Sequence, residues 1–248
     1  MSDVGAFDAG VVRMDVIEVS GPVAVIGDIH GRADLLARLL AQLGDMPVFV
    51  AGDVCDRGPD TRDVIEQLVA RGARGVRGNH EDWLCQFVDG RGFDSLALNA
   101  MFGGTATLRS YGIEGRSPRE IEAQRFKVPL AHREWLGALP VVIRLVIDGA
   151  PYWIAHAGVP LSLAVSIDPV RRMREILPEH HCDLRWSALD PDNMDVLDGP
   201  VIYGHVPRQA PIDAGHAIGI DTGCGRHEGA LTAVILPARR FLTVRAEP

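Results

Sequence analysis

Apolar, valine-rich segments alternate with segments of helical periodicity over the first 90 residues, and this alternation constrains the fold more than any other feature. Residues 22–27 and 46–52 are short apolar segments bounded by glycine, as buried strands often are. For the second helical segment we predict Thr61 as the N-cap and Gly72 as the stop. The order predicts three βα units, with strands and helices at 22–27 and 32–44, 46–52 and 61–72, and 73–78 and 81–90.

The pattern changes in the second half of the chain. Residues 95–140 are predicted to be mostly helical, with a break at the glycine pair 103–104. A second, mostly antiparallel sheet is predicted from strands at 140–147, 151–158, 200–205, 217–223 and 230–236. Two sheets with helices outside them indicate an α/β sandwich. Because no low-complexity linker or internal repeat is present, we expect one domain over residues 1–248, with its core at about 22–245.

Composition excludes several classes of function. The net charge of the 248-residue chain is −8 and no block of Lys or Arg stands out, so we expect no nucleic-acid partner. No apolar run reaches 18 residues and the N-terminus has neither a basic start nor an apolar core, so we expect a cytoplasmic protein without a membrane span. The four cysteines are scattered without a CxxC pair, which favours free thiols over a disulfide framework or a zinc knuckle.

Several predicted strands end in Asp, His or Asn beside glycine. The motifs are GDIHG (27–31), GDVCDRGPD (52–60), GNHED (78–82), IAHAG (154–158) and IYGH (202–205). Ligand sites of α/β sheets gather at the carboxyl ends of strands, so we expect these motifs to converge. Convergence would bring together six side chains, namely Asp28, His30, Asp53, Asn79, His156 and His205. Oxygen and imidazole ligands without thiolate suit Mn²⁺, Fe or Zn²⁺, and six of them suit two ions sharing a carboxylate.

Each motif alone has an ordinary explanation. His156 could be a hydrogen-bonded core histidine, Asp28 a helix cap, and Arg57 a member of a surface ion pair. Five such motifs at five strand ends are hard to explain in this way, and we therefore prefer the metal site. The remaining histidines keep the ordinary explanation, namely His132, His180, His181, His216 and His227.

With these motifs in order, the chain resembles the metallophosphoesterases, and within them the bacterial and phage branch of the phosphoprotein phosphatases. The resemblance runs from Val23 to Val244 and includes the softer matches NAMFGGTATL (99–108) and IDTGCG (220–225). It implies a calcineurin-like fold, a four-layer α/β/β/α sandwich of two mixed sheets, with a dinuclear metal centre between the sheets. Mn²⁺ is the expected ion, with Fe or Zn²⁺ as alternatives.

The resemblance also implies residue roles. Asp28, His30 and Asp53 would hold the first ion, and Asp53 would bridge to a second ion held by Asn79, His156 and His205. His80 would be the general acid, oriented by Asp56, and Arg57 would bind the substrate phosphate. Many relatives carry a second phosphate-binding arginine shortly after a Trp, but here no Arg lies between Trp186 and His205. Arg185, Arg208 and Arg226 are the candidates, and we choose Arg185.

These roles imply a metal-dependent phosphomonoester hydrolase that uses a metal-activated hydroxide. The DRG and GNHE forms favour a serine/threonine phosphoprotein phosphatase acting on phosphorylated proteins. The alternative is a symmetrical hydrolase of dinucleoside polyphosphates such as diadenosine tetraphosphate, or of another small phosphoester. A scaffold that lost turnover is disfavoured, because it would be expected to lack His80, Asp56 or some of the ligands, and all of these are present.

Overall fold

The computed structural model describes residues 13–92, 95–159, 185 and 197–246. These residues form eleven strands: β1 Met14–Val19, β2 Val23–Ile26, β3 Val48–Val50, β4 Arg74–Gly75, β5 Val142–Ile147, β6 Ala150–Ala155, β7 Val201–Tyr203, β8 Ile212–Asp213, β9 Ala217–Gly219, β10 Ala230–Leu236 and β11 Arg240–Arg245. They also form six α-helices: α1 Ala33–Leu43, α2 Thr61–Ala70, α3 Asn79–Val88, α4 Gly104–Ser110, α5 Pro118–Glu122 and α6 Leu130–Ala138. Two short 3-10 helices lie at Ser95–Leu98 and Arg125–Lys127.

The strands build two mixed sheets. The five-stranded sheet has the order β11-β10-β2-β3-β4, and its β2, β3 and β4 are parallel while β10 is antiparallel to both of its neighbours. The six-stranded sheet has the order β1-β5-β6-β7-β9-β8. In it the pairs β1–β5, β6–β7 and β7–β9 are parallel, and the pairs β5–β6 and β8–β9 are antiparallel. This architecture confirms the predicted α/β sandwich of two mixed sheets.

Four details of the prediction were wrong. The six-stranded sheet is not mostly antiparallel, and the predicted strand 230–236 belongs to the other sheet as β10. Strand β1 was not predicted. Thr61 is the first residue of α2 rather than its N-cap, which is Asp60, and the Thr61 hydroxyl lies 2.9 Å from that of Thr107. Gly72, with φ of +64°, follows the end of α2 as expected.

Successive side chains of the central strands point to opposite faces of the five-stranded sheet, and both faces are covered by apolar core. In β2, Val23 and Val25 face the six-stranded sheet, whereas Ala24 and Ile26 pack beneath the helices, so the whole strand is apolar. Helix α1 buries Leu35, Leu36 and Leu39 completely, among other residues. Each such leucine contributes about 1.5–3 kcal/mol through burial. The described chain thus has helices, a sheet and a second sheet in successive layers.

The outer face of the six-stranded sheet carries a separate apolar cluster that includes Met14, Trp153 and Val201. Residues 160–196 lie outside the described residues, except for the helical residue Arg185, and the fourth layer stays a prediction. No helix among the described residues has both the length and the apolar character needed to cross a bilayer.

The cysteines agree with the prediction as far as they are described. Cys55, Cys85 and Cys224 are buried free thiols, and Cys182 lies outside the described residues. Burial raises the pKa of Cys85 and that of Cys224 to about 12. His132 is likewise a core histidine, because its ring binds the Tyr111 hydroxyl at 3.0 Å and the Glu66 carboxylate at 2.8 Å.

Candidate metal centre

The carboxyl ends of strands from both sheets meet at one place and bring the six predicted ligands together. Asp53 follows β3, and its Oδ2 lies 3.8 Å from Nε2 of His30, which follows β2. The same oxygen lies 3.3 Å from Nε2 of His156, which follows β6. Oδ1 of Asn79, the first residue of α3, is 3.0 Å from His156 Nε2 and 3.1 Å from Nδ1 of His205, which follows β7.

Asp53 is shared by two groups of side chains that could each hold a metal ion. One group is His30, Asp53 and His80, and the other is Asp53, His156 and His205. The potential ligand atoms of each group lie within 4.8 Å of one another. Asp28 adjoins the first group, with Oδ2 3.9 Å from His30 Nε2. A carboxylate common to two groups is the arrangement expected of a bridging ligand.

Backbone carbonyls fix the orientation of two of these imidazoles. Nδ1 of His30 lies 2.9 Å from the carbonyl oxygen of Cys55, and Nδ1 of His156 lies 2.8 Å from that of Ala51. Because a carbonyl oxygen only accepts, both Nδ1 atoms donate, and both Nε2 atoms face Asp53. Metal-binding histidines are commonly oriented in this way. The donor set and its outer hydrogen bonds therefore fit divalent metal ions.

The loops that carry these ligands have unusual backbone conformations. His30, Asp53, Asp56, Arg57 and His205 all have φ between +47° and +72°, in the region that favours glycine. Such conformations cluster at functional sites, where the surroundings hold them in place. Gly78 also allows close approach, since a Cβ there would collide with the Asp53 carboxylate.

Glu81 connects the loop after β3 to the residues just before α3. No role for Glu81 was predicted from the sequence. Its Oε2 accepts from the backbone N–H groups of Asp53 and Gly78, each at 2.9 Å. Its Oε1 accepts from the N–H groups of Val54 at 2.9 Å and Cys55 at 3.3 Å. A fully buried carboxylate with four backbone donors anchors the loop that presents Asp53. The spacing of Gly78 and Glu81, which matches a capping box, was the available signal.

His80 is held by a second buried carboxylate. Its Nδ1 lies 2.8 Å from Oδ2 of Asp56, which also accepts from Trp83 Nε1 at 2.8 Å. Asp56 Oδ1 accepts from the hydroxyl of Thr107 at 2.7 Å. Phe102 stacks on the imidazole, with its ring centroid 4.1 Å from that of His80. The imidazole is thus fixed in orientation, with Nε2 facing the metal-binding groups.

Arg57 lies beside both imidazoles at the mouth of the site. Its Nη1 is 2.6 Å from His30 Nε2 and its Nη2 is 3.3 Å from His80 Nε2. Burial lowers the pKa of His30, so this ring is neutral and its Nε2 accepts from the guanidinium. The backbone N–H of Arg57 donates to the carbonyl of Gly103 at 3.2 Å, which ties the loop to the start of α4.

A model of the calcineurin-like phosphoesterase domain matches residues 21–240. The chain belongs to this family. One relative of the phosphoesterase is the asymmetrical bis(5'-nucleosyl)-tetraphosphatase PrpE of Oceanobacillus iheyensis, 28% identical over 90% of this chain and 91% of that protein. Another is serine/threonine-protein phosphatase 2 of Escherichia coli, 33% identical over 56% of this chain and 59% of that protein. A crystal structure of a candidate diadenosine tetraphosphatase has the same fold, with a TM-score of 0.61 and 22% identity over 94% of this chain and 98% of that chain.

Membership of the family confirms the resemblance drawn from the motifs. It also makes this chain a hydrolase of the metallophosphoesterase superfamily, with a divalent-metal site for which candidate ligands are present. The family does not by itself choose between phosphorylated proteins and dinucleotides as substrates of this phosphoesterase.

The acidic groups and histidines of the candidate metal centre shift one another's pKa. Burial, with the nearby charge of Asp221, raises the pKa of Asp28. Burial alone would raise the pKa of Asp53, but His156, His80 and His30 outweigh it and lower that pKa. For His156, burial alone lowers the pKa, and the charge of Asp53 outweighs it and raises the pKa to about 10. The site therefore concentrates negative charge on Asp53, which suits a bridging ligand.

The predicted second phosphate-binding arginine lies near the site but is engaged elsewhere. Arg185 is buried and pairs with Asp82 in the first turn of α3, while Trp186 lies outside the described residues. Its role toward phosphate stays a prediction. Arg226, another candidate, is exposed on the loop between β9 and β10 that packs against His30 and Arg57.

Proposed function

We propose that this phosphoesterase hydrolyses dinucleoside polyphosphates at a site of two divalent metal ions. Asp28, His30 and Asp53 would hold one ion, and Asp53, Asn79, His156 and His205 the other. The observation that supports the two-ion site is the position of Asp53 in both ligand groups. Since all six ligands offer oxygen or nitrogen, we propose Mn²⁺, with Fe or Zn²⁺ as alternatives.

The extent of the similarity supports the dinucleotide as substrate. The relatives that match nine-tenths of both chains are named asymmetrical bis(5'-nucleosyl)-tetraphosphatases. The match to serine/threonine-protein phosphatase 2 covers little more than half of either chain. The similarity to the tetraphosphatases therefore extends over more of this chain than the similarity to the protein phosphatase.

The residues beside the ligands would perform two tasks. Two ions at this site would polarise the phosphoryl oxygens and lower the pKa of water, which is the chemistry that such sites supply. Arg57 presents a planar fork of donors that matches the phosphate, and we assign it to hold the reacting phosphoryl group. Burial alone lowers the pKa of His80, but the charge of Asp53 and the hydrogen bond that His80 donates to Asp56 outweigh it and raise that pKa. A raised pKa favours the protonated imidazole, which we assign as the donor to the leaving oxygen.

A serine/threonine phosphatase is the second candidate, and the His80–Asp56 pair favours it. An alkoxide leaving from a phosphorylated serine needs a proton, whereas a nucleotide leaves as a stable phosphate anion. A buried, oriented general acid therefore accelerates the phosphatase reaction more than the dinucleotide reaction. The DRG and GNHE forms of the motifs point the same way.

Product analysis separates the candidates. The Mn²⁺-loaded protein is offered diadenosine tetraphosphate in parallel with a panel of phosphoserine and phosphothreonine peptides, with Asp53→Asn protein as the blank. We expect rapid dinucleotide cleavage and slow release of phosphate from peptides. ATP with AMP would mean off-centre cleavage, and ADP alone would mean symmetrical cleavage. Rapid peptide turnover with an untouched dinucleotide would overturn the proposal in favour of the phosphatase.

A further inference from the structure

A cleft with a volume of about 710 Å³ opens beside Arg57, and arginines come to it from three separate parts of the chain. Arg57 lies at its inner end, next to His30 and His80. Arg109 comes from α4, and Arg226 from the loop between β9 and β10. Three guanidinium groups around one cleft contrast with the net charge of −8 of the whole chain.

Among the described residues neither Arg109 nor Arg226 is held in an ion pair, although Arg226 lies near enough to the buried Asp221 for the two charges to interact. Both side chains are exposed, and within the described ranges neither makes a hydrogen bond or an ion pair. Arg57 differs from them, because it already contacts both imidazoles of the catalytic site. Two unpaired cations beside a phosphate site favour a ligand that carries further negative charges.

The elements that carry Arg109 and Arg226 are positioned by contacts with the residues around the metal centre. Arg109 shares the exposed face of α4 with Thr105, while Thr107 on the opposite face binds the Asp56 carboxylate. The loop of Arg226 is seated through Gly225, whose missing Cβ allows close contact with His30 and Arg57. The same elements that position the catalytic groups therefore position the two arginines.

A second cavity, of about 660 Å³, continues from the first beyond Arg109. The two share the lining residues Leu98, Thr105 and Arg109. The second cavity adds the apolar side chains of Ile113 and Ile121, together with charged groups of both signs. An apolar wall with balanced charge suits a nucleoside better than it suits phosphate.

We infer that this arginine cleft, lined by Arg57, Arg109 and Arg226, binds the polyphosphate chain beyond the reacting phosphoryl group, and that the adjoining cavity binds a nucleoside. The inference rests on the proposed function for the position of the reacting phosphoryl group. A dinucleoside tetraphosphate carries one negative charge on each phosphate and ends in a nucleoside, so it matches the succession of arginines and apolar wall. A simple phosphomonoester would contact Arg57 alone.

The test compares Arg226→Ala and Arg109→Ala with Arg240→Ala as a matched control. Arg240 is exposed and lies opposite Ile235 of β10, and Ile235 in turn lies opposite Ala24 near the start of β2. Arg240 is therefore near the end of the sheet that is opposite the metal centre. On the Mn²⁺-loaded full chain we expect each cleft variant to lower kcat/KM for diadenosine tetraphosphate about 10- to 100-fold. The fall for p-nitrophenyl phosphate is expected to be at least several-fold smaller, and the control to match wild type.

A binding measurement keeps the two proposals separate. Calorimetry gives Kd of the loaded protein for a methylene-bridged, non-hydrolysable diadenosine tetraphosphate, and we expect Kd to rise in both cleft variants by a similar factor. The inference is overturned, and the proposed function stands, if wild type cleaves the dinucleotide but kcat/KM of the variants falls equally for both substrates or for neither. If wild type does not cleave it, the proposed function falls, and Kd alone decides whether the cleft binds polyphosphate. A parallel loss of phosphopeptide turnover and an unchanged Kd would assign the cleft to peptides instead.

Discussion

Nδ1 of His80 lies 2.8 Å from Oδ2 of Asp56, and both side chains are buried, although Asp56 lies on the loop after β3 and His80 in the first turn of α3. Asp56 also accepts hydrogen bonds from Trp83 and Thr107, so its position does not depend on the histidine. The imidazole is therefore oriented by a carboxylate that is itself held rigidly. This is the arrangement that a positioned proton donor requires.

We predict that His80→Ala lowers kcat about 10²- to 10⁴-fold on an alkyl phosphate, whose leaving group needs a proton. The loss is expected to be much smaller on p-nitrophenyl phosphate, because nitrophenolate departs without one. Steady-state kinetics on both substrates measure the difference, with His227→Ala, an exposed histidine, as control.

Metal analysis of the same variant decides between two roles for His80. Its Nε2 also lies 3.9 Å from Asp53 Oδ2, and the residue belongs to one of the two candidate ligand groups. A proton donor can be removed without loss of bound metal. Equal losses on both substrates, together with a fall in metal content, would instead make His80 a ligand.

We predict that Asp53→Asn lowers the metal content of the protein and its phosphoesterase activity together. Asp53 is shared by both ligand groups, and the neutral amide would bridge two cations poorly. Bound metal is measured by elemental analysis after dialysis and activity on p-nitrophenyl phosphate, with the exposed Asp63→Asn as control. Full activity in a variant that binds no metal would rule out a catalytic role for the ions.

The ligand-bearing loops could be predicted because each corresponds to a short motif of consecutive residues. Motifs such as GDIHG and GNHED place a potential metal ligand beside a glycine directly after an apolar strand, and this position puts the ligand at the carboxyl end of the sheet. All six predicted ligands come together in the structure. The pairing of Asp56 with Thr107 could not be foreseen, because 51 residues separate them and a lone Thr on a short helix carries no signal.

Sheet membership was predicted less well than strand positions, for a physical reason. Every residue of β10 is buried, so its sequence lacks the polar alternation that would identify an exposed face. Such a strand fits the centre of either sheet, and only its long-range pairing with β2 decides. Strand β1 was missed because Asp15 and Glu18 interrupt its apolar pattern.

We predict that Glu81→Gln lowers the free energy of unfolding by at least about 2 kcal/mol and weakens metal binding. The amide would turn an NH₂ group toward two of the four backbone N–H donors, which leaves buried donors without acceptors. Urea denaturation measures stability, and metal titration measures affinity. The control is Glu134→Gln on the exposed face of α6. A change in unfolding free energy within about 0.5 kcal/mol would show that the loops do not depend on this carboxylate.

The last prediction concerns pH and a carboxylate remote from the ligands. Asp198 accepts from Trp153 Nε1 at 2.8 Å and from Arg144 Nε at 3.1 Å. Burial alone would raise the pKa of Asp198, but these hydrogen bonds outweigh it and hold the pKa below its ordinary value of 3.8. A pKa lowered by folding means that the ionised form favours the folded state. The resulting stability is present above pH 3.8 and is lost as the pH falls through the pKa of the folded protein.

We therefore expect Asp198→Asn to lower the free energy of unfolding by about 1 kcal/mol near neutral pH. The difference from wild type should shrink as the pH is taken below 3.8, because wild type then also carries a neutral side chain. Urea denaturation over this pH range, on metal-free protein throughout, measures both effects. Asp45→Asn, at a fully exposed position, should show neither. A difference that stays constant with pH would mean that Asp198 acts through the shape of its hydrogen bonds and not through its charge.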